Sequence, residues 1–163
     1  MDFGVWRGAA FAGERIPTLE TFLTHFGRRG LKLALEIKQP GVETDSIAMV
    51  NKLNCHDDVE FTSFYWESVV EIKRIDPTFC VGFLTERITL DMLNQLKQAG
   101  VNQICPRIDT VTEADMALAK EHGLAVRFWG IRDEADMRRA VALNGVGMTC
   151  NFPDKLSALL HLA

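Results

Sequence analysis

Lys32-Leu33-Ala34-Leu35-Glu36-Ile37-Lys38 reads as a β-strand. Side chains alternate faces along a strand, so Leu33, Leu35 and Ile37 share one face and Ala34, Glu36 and Lys38 share the other. The first set suits packing against helices. The second set is a small residue followed by two opposite charges, an odd face for the interior of a sheet. In a parallel α/β protein the C-terminal strand ends form the active site, and Glu36 and Lys38 fall at that end. An unpartnered charge buried there is costly. Two readings follow. Glu36 and Lys38 pair with each other on a solvated strand end, or Glu36 binds a divalent cation while Lys38 neutralises phosphate charge.

Short apolar runs like this one recur along the chain. The strand candidates are Lys32–Lys38, Val59–Phe64, Cys80–Thr85, Val101–Arg107, Ala125–Ile131 and Gly145–Cys150. Segments with helical spacing lie around them: Ile16–Arg29, Thr44–Leu53, Trp66–Ile75, a run through Leu90, Leu93 and Leu96 to Gly100, Thr112–His122, Asp133–Leu143 and Asp154–Leu162. Pro17 suits a first helical turn, and Thr112 with Asp115 has the spacing of a capping box. Strands that alternate with helices indicate βαβ units and a parallel sheet. Right-handed crossovers then give a doubly wound sheet or a barrel. A complete barrel needs eight strands and typically ~250 residues, whereas six strands are countable here. A doubly wound sheet needs no missing part, but no GxGxxG turn follows any strand. The pattern alone leaves both open.

Composition narrows the function classes. The 163 residues carry a net charge of -4 and a pI of about 5.6, without the basic face of a nucleic-acid binder. No apolar run reaches the roughly 18 residues that span a bilayer. The start, Met1-Asp2-Phe3-Gly4, lacks a basic and an apolar region, so no signal peptide and a cytoplasmic location are expected. Cys55, Cys80, Cys105 and Cys150 include no CxxC pair, which argues against zinc. Reduced, buried thiols are expected, except for an exposed Cys55 in a loop.

Several segments together resemble one family. Phe11-Ala12-Gly13-Glu14-Arg15-Ile16-Pro17-Thr18-Leu19-Glu20 looks like the "GERIPTLEE" segment of the glycerophosphodiester phosphodiesterases, and Gly4-Val5-Trp6 like their "GxW" stretch. Leu35-Glu36-Ile37-Lys38 matches the "EIK" strand, and Thr62-Ser63-Phe64 the "SF" strand. Pro77 and Gly82-Phe83-Leu84 match the next strand. Gly123-Leu124-Ala125-Val126 with Trp129 resembles "GLxVxxW", and Gly147–Asp154 the terminal "GIxTDxPD". The matches run in order over nearly the whole chain.

The resemblance implies an α/β fold: an incomplete (β/α) TIM-type barrel of about six βα units with parallel strands, spanning residues 1–163 as one domain. It implies hydrolysis of glycerophosphodiesters to glycerol 3-phosphate and an alcohol, in lipid metabolism, with calcium or magnesium and two histidines as acid and base. Those histidines and most metal carboxylates precede the "GxW" stretch in the family, so an N-terminal part is expected to be missing. Glu36 carries over as a metal ligand, Lys38 as the catalytic phosphate-side lysine, and Trp129 and Phe64 as aromatic walls of the substrate pocket. Strand alternation adds Arg127, on the same face as Trp129, as a second cation near Lys38. Cys150 stands where the family usually has Asp. His25, His56, His122 and His161 fall in helices or in a loop remote from strand C-termini and do not replace the missing pair. The chain alone is therefore expected to hydrolyse little or nothing, and Glu36 as a lone carboxylate to bind a divalent cation only weakly. The competing reading is a non-catalytic partial barrel, a homo-oligomer that covers its open sheet edges.

Overall fold

The computed structural model of the chain describes residues 2–161. Six parallel strands form one sheet in strictly sequential order: β1 (Leu33–Glu36), β2 (Val59–Ser63), β3 (Cys80–Thr85), β4 (Gln103–Pro106), β5 (Ala125–Ile131) and β6 (Gly147–Cys150). The helices are α1 (Leu19–Phe26), α2 (Glu43–Lys52), α3 (Trp66–Ile75), α4 (Leu90–Gln98), α5 (Glu113–Glu121), α6 (Glu134–Ala142) and α7 (Pro153–Leu159). A doubly wound sheet reverses its strand order at a switch point. This sheet does not reverse, and the barrel expectation holds as an open half-barrel.

Local chemistry sets the helix starts. The side chains of Thr18, Thr89, Thr112 and Asp133 each accept a backbone N–H three residues on. Thr112 and Asp115 complete the anticipated capping box. The Thr18 cap also corrects the first helix, which begins at Leu19 rather than in the turn of Pro17, and ends at Phe26. At the other end α7 stops at Leu159, so His161 lies beyond the helix in which it was expected; Leu162 lies outside the described residues.

The core lies between the outer face of the sheet and the helices. Val59, Phe61, Val81, Ile104, Val126 and Phe128 point outward from the strands and are buried, as are Val69, Ile72, Leu93 and Leu96 on the helices. Each such large side chain contributes roughly 1.5–3 kcal/mol by leaving water. Phe79 stacks its edge on Phe61 at 5.1 Å. Cys55, expected to be exposed, is 2% exposed, because its Sγ fills the space a side chain would take at Gly27.

The inner face is layered differently. Gly82 on β3 leaves room for Thr62 of β2 and for Gln103 and Cys105 of β4: a Cβ there would sit 2.9 Å from the Cys105 Sγ. Side chains of alternate strands thus share a layer, as in the interior of a (β/α) barrel. Ala34 and Glu36 on β1 are exposed toward the open side, while Leu33 and Leu35 pack on the core, as the alternation of that strand required.

Candidate functional site

Parallel pairing puts every strand C-terminus at one end of the half-barrel, and a cleft of about 460 Å³ opens there. Glu36 reaches it from β1 and Lys38 from just beyond that strand, which ends at Glu36 rather than at Lys38; Phe64 comes from just past β2, Arg127 and Trp129 from β5, and Thr149, Cys150 and Asn151 from β6 and the turn after it. The five residues singled out in the sequence therefore share one cleft.

Glu36 and Lys38 do pair, Nζ to Oε2 at 3.5 Å, with the lysine 78% and the glutamate 33% exposed. A solvated pair of this kind contributes little to stability, about 0–1 kcal/mol. Lys38 thus remains available to a bound anion.

Trp129 is held more tightly. Its indole Nε1 donates to the Thr85 carbonyl at 3.0 Å. Phe64 stands edge-on to the indole, with centroids 5.3 Å apart and planes at 84°. A register shift sets up this corner: Phe128 pairs with Met148 and Ile131 with Cys150, so β5 spends three steps where β6 spends two. The extra residue forms a bulge at Gly130, whose φ of 76° favours glycine.

Arg127 lies under the cleft. Its Nη2 donates to Thr149 Oγ1 at 3.0 Å, and its Nε is buried with no partner. An orphaned buried donor costs roughly 1–3 kcal/mol, so this guanidinium is poised for an acceptor. Other rim arginines are engaged. Arg107 binds Glu86 at 2.5 Å and Asp109 at 2.7 Å, and Arg132 binds Asp136 at 2.8 Å. The Arg132 hydrogen bond holds the Asp136 carboxyl below the usual range. Lys38 and Arg127 thus face one carboxylate, Glu36, and the cleft has a positive balance.

The donor set does not fit a divalent cation. Calcium takes roughly six to eight oxygen ligands, and magnesium about six in near-octahedral array. The cleft offers one carboxylate, itself paired with a lysine. Among the described residues no three His, Cys, Asp or Glu side chains gather as a metal site.

Among the described residues no histidine lines the cleft. His25 and His122 cap carbonyls of their own helices, at Thr21 and Leu118. His56 precedes β2, at the opposite end of the sheet, bonded to Thr78 and stacked on Phe79 at 4.0 Å. Sequence reasoning missed Thr62, Thr149 and Asn151, which line the cleft with neutral oxygens and an amide. The signal available for the last two was their place at the end of the final strand.

A curled parallel sheet with its cleft at the C-terminal strand ends defines the chain as part of a (β/α) barrel. The pattern of the glycerophosphoryl diester phosphodiesterase family matches residues 1–155, and the chain belongs to that family. It is 24% identical over 166 residues to the glycerophosphodiester phosphodiesterase of Caldanaerobacter subterraneus, covering 99% of this chain and 68% of that protein. It is 27% identical over 177 residues to a glycerophosphodiester phosphodiesterase of Bacillus subtilis, covering 94% and 60%. Among solved structures, an Oleispira antarctica phosphodiesterase in complex with the product sn-glycerol-3-phosphate superposes with a TM-score of 0.83 at 23% identity, over 98% of this chain and 67% of that one. The Agrobacterium tumefaciens glycerophosphodiester phosphodiesterase gives 0.71 at 21%, over 96% and 68%. The chain spans about two thirds of the length of the curated relatives it matches.

Proposed function

We propose that the cleft is the phosphate and glycerol side of a glycerophosphodiester phosphodiesterase active site. The observation that carries this is the meeting of two cations, Lys38 and Arg127, with the Phe64–Trp129 corner in a chain of that family. Lys38 neutralises phosphate charge from the exposed side. Arg127 supplies its unpartnered Nε from below. Both stabilise charge that grows on phosphate oxygens as the ester bond breaks. The aromatic corner takes the carbon skeleton of glycerol, and Thr62, Thr149 and Asn151 are placed for its hydroxyls. Glu36 holds Lys38 toward the cleft.

A phosphoric diester hydrolase also needs a general acid and base within hydrogen-bond reach of the reacting oxygens. Among the described residues no histidine and only one carboxylate line this cleft. The chain by itself therefore turns over little or no substrate. The test is hydrolysis of glycerophosphocholine by the purified 163-residue chain, with and without calcium or magnesium, beside Glu36→Ala and Lys38→Ala. Turnover at or near background fits this reading. Strong turnover that survives both substitutions contradicts it.

A second reading is favoured by the strands β1 and β6, which each pair on one side only. On that reading the protein is a non-catalytic half-barrel that self-associates through those edges. Its mass in solution, measured by light scattering, separates a dimer from a monomer.

A further inference from the structure

A second recess, of about 380 Å³, lies on the inner face below the cleft. Four strands shape it. Glu60 on β2 and Gln103 on β4 point inward, and Gly82 stands between them on β3 with no side chain. Gln103 therefore reaches across β3. Its Nε2 donates to Glu60 Oε2 at 3.0 Å and to Cys80 Sγ at 3.3 Å. On β1 the partner of Glu60 is Ala34, and on β5 the partner of Gln103 is Ala125. Both are too short to fill the space beside them.

The Glu60 carboxylate fixes the orientation of the Gln103 amide. Only the N–H₂ side can face a carboxylate, so Oε1 points away from it. Gln103 is 6% exposed, and among the described residues its Oε1 is buried with no partner. Buried polar groups are nearly always hydrogen-bonded, so an unmet acceptor in a recess marks a place for a donor.

The donor must also suit Glu60. The cations that line the recess are turned elsewhere: Lys32 Nζ donates to the Asp57 carbonyl, and Arg127 Nη2 donates to Thr149 Oγ1 at 3.0 Å, toward the cleft. The charge of Glu60 is felt by its neighbour. Burial first, and Glu60 second, push the Cys80 thiol up, so it stays protonated and adds no charge of its own. Ala125, Val146 and Met148 wall the remainder with carbon.

We propose that this recess binds a small organic cation with a primary ammonium head. The ammonium donates one N–H to Gln103 Oε1 and another to the Glu60 carboxylate, and a short aliphatic tail lies against Ala125, Val146 and Met148. Two acceptors, one of them charged, favour a charged donor. A primary ammonium carries three N–H groups and meets both. A quaternary ammonium carries none and leaves Oε1 unmet. Calcium takes roughly six to eight oxygens, and two are offered. One water occupies about 30 Å³ of liquid, so the recess has room for a chain of several carbons. Neither Glu60 nor Gln103 serves the phosphodiesterase reading, so the two claims fail separately.

The experiment titrates propylammonium chloride into the ¹⁵N-labelled 163-residue protein at pH 7 and constant ionic strength. The amine is protonated there, as a lysine is. Nuclear magnetic resonance follows the backbone amides of Ala125 and Gly147 and the side-chain amide of Gln103. A saturable 1:1 shift is expected, with affinity at least tenfold weaker in Glu60→Gln and in Gln103→Leu. Propan-1-ol, which lacks the charge, and tetramethylammonium, which lacks the donors, are expected to bind at least tenfold more weakly than propylammonium. Circular dichroism checks that each variant folds, and either one alone keeps the test intact. No saturable shift in the folded wild type, equal binding of either control, or affinity unchanged in a folded variant overturns the inference. Such a failure leaves binding of sn-glycerol 3-phosphate in the cleft untouched.

Discussion

The indole Nε1 of Trp129, on β5, donates to the carbonyl of Thr85, at the end of β3, across the intervening strand β4. This bond ties the cleft wall to the body of the sheet. It also fixes the indole at right angles to Phe64. Trp129→Phe keeps an aromatic ring but removes the donor and leaves the carbonyl unmet. A loss of about 1 kcal/mol is expected, seen as a Tm lowered by roughly 2–4 °C. An unchanged Tm would show that the bond contributes nothing.

The bulge that aims Trp129 depends on Gly130. Its φ is 76°, and a Cβ there would lie 2.8 Å from Arg107 Cγ. Gly130→Ala should cost ~1–3 kcal/mol in urea unfolding through backbone strain and displacement of Arg107. A cost below measurement would mean that the strand relaxes without the bulge.

The thiols should separate by reactivity. Burial pushes the Cys105 thiol up to about 12, so it stays protonated at pH 8. Cys55 is buried as well, and burial raises the half-buried Cys80. Cys150, on the cleft wall, should take iodoacetamide first, read by peptide mass spectrometry. sn-Glycerol 3-phosphate should slow that labelling by filling the cleft.

Asp136 ties stability to pH. Its carboxyl is held below its ordinary value of 3.8, chiefly by the hydrogen bond from Arg132. A depressed carboxyl stabilises the fold fully above the unfolded value and loses that stabilisation as pH falls toward and through the lower folded value. Asp136→Asn should therefore lower Tm by roughly 2 °C at pH 7. The gap to wild type should close as pH falls through the lowered folded value and the aspartate is protonated. A gap that persists there would assign the effect to packing.

Much of this was legible in the residues, for identifiable reasons. The alternation Leu33, Leu35, Ile37 against Ala34, Glu36, Lys38 is local and of period two, so it fixed which side chains face the cleft. Thr112 and Asp115 named their helix start for the same reason. Choosing a barrel over a doubly wound sheet depended on the motif resemblance, because sheet order is a long-range property. The bulge at Gly130 was illegible, since it exists only relative to β6. Cys55 looked like a loop thiol because nothing nearby in sequence announces that Gly27 leaves space for its sulfur. Thr149 and Asn151 read as strand-end residues until the sheet curled them toward Arg127 and Lys38.

On the proposed reading Lys38 and Arg127 hold a phosphate beside the Phe64–Trp129 corner. Isothermal titration with sn-glycerol 3-phosphate, for the wild type, Lys38→Ala and Arg127→Ala, tests it most directly. Binding is expected at 1:1, weakened about tenfold or more by either substitution, as for loss of a charge-assisted hydrogen bond worth roughly 1.5–3 kcal/mol. Binding that both variants leave unchanged, or no binding by a folded wild-type protein, would contradict it.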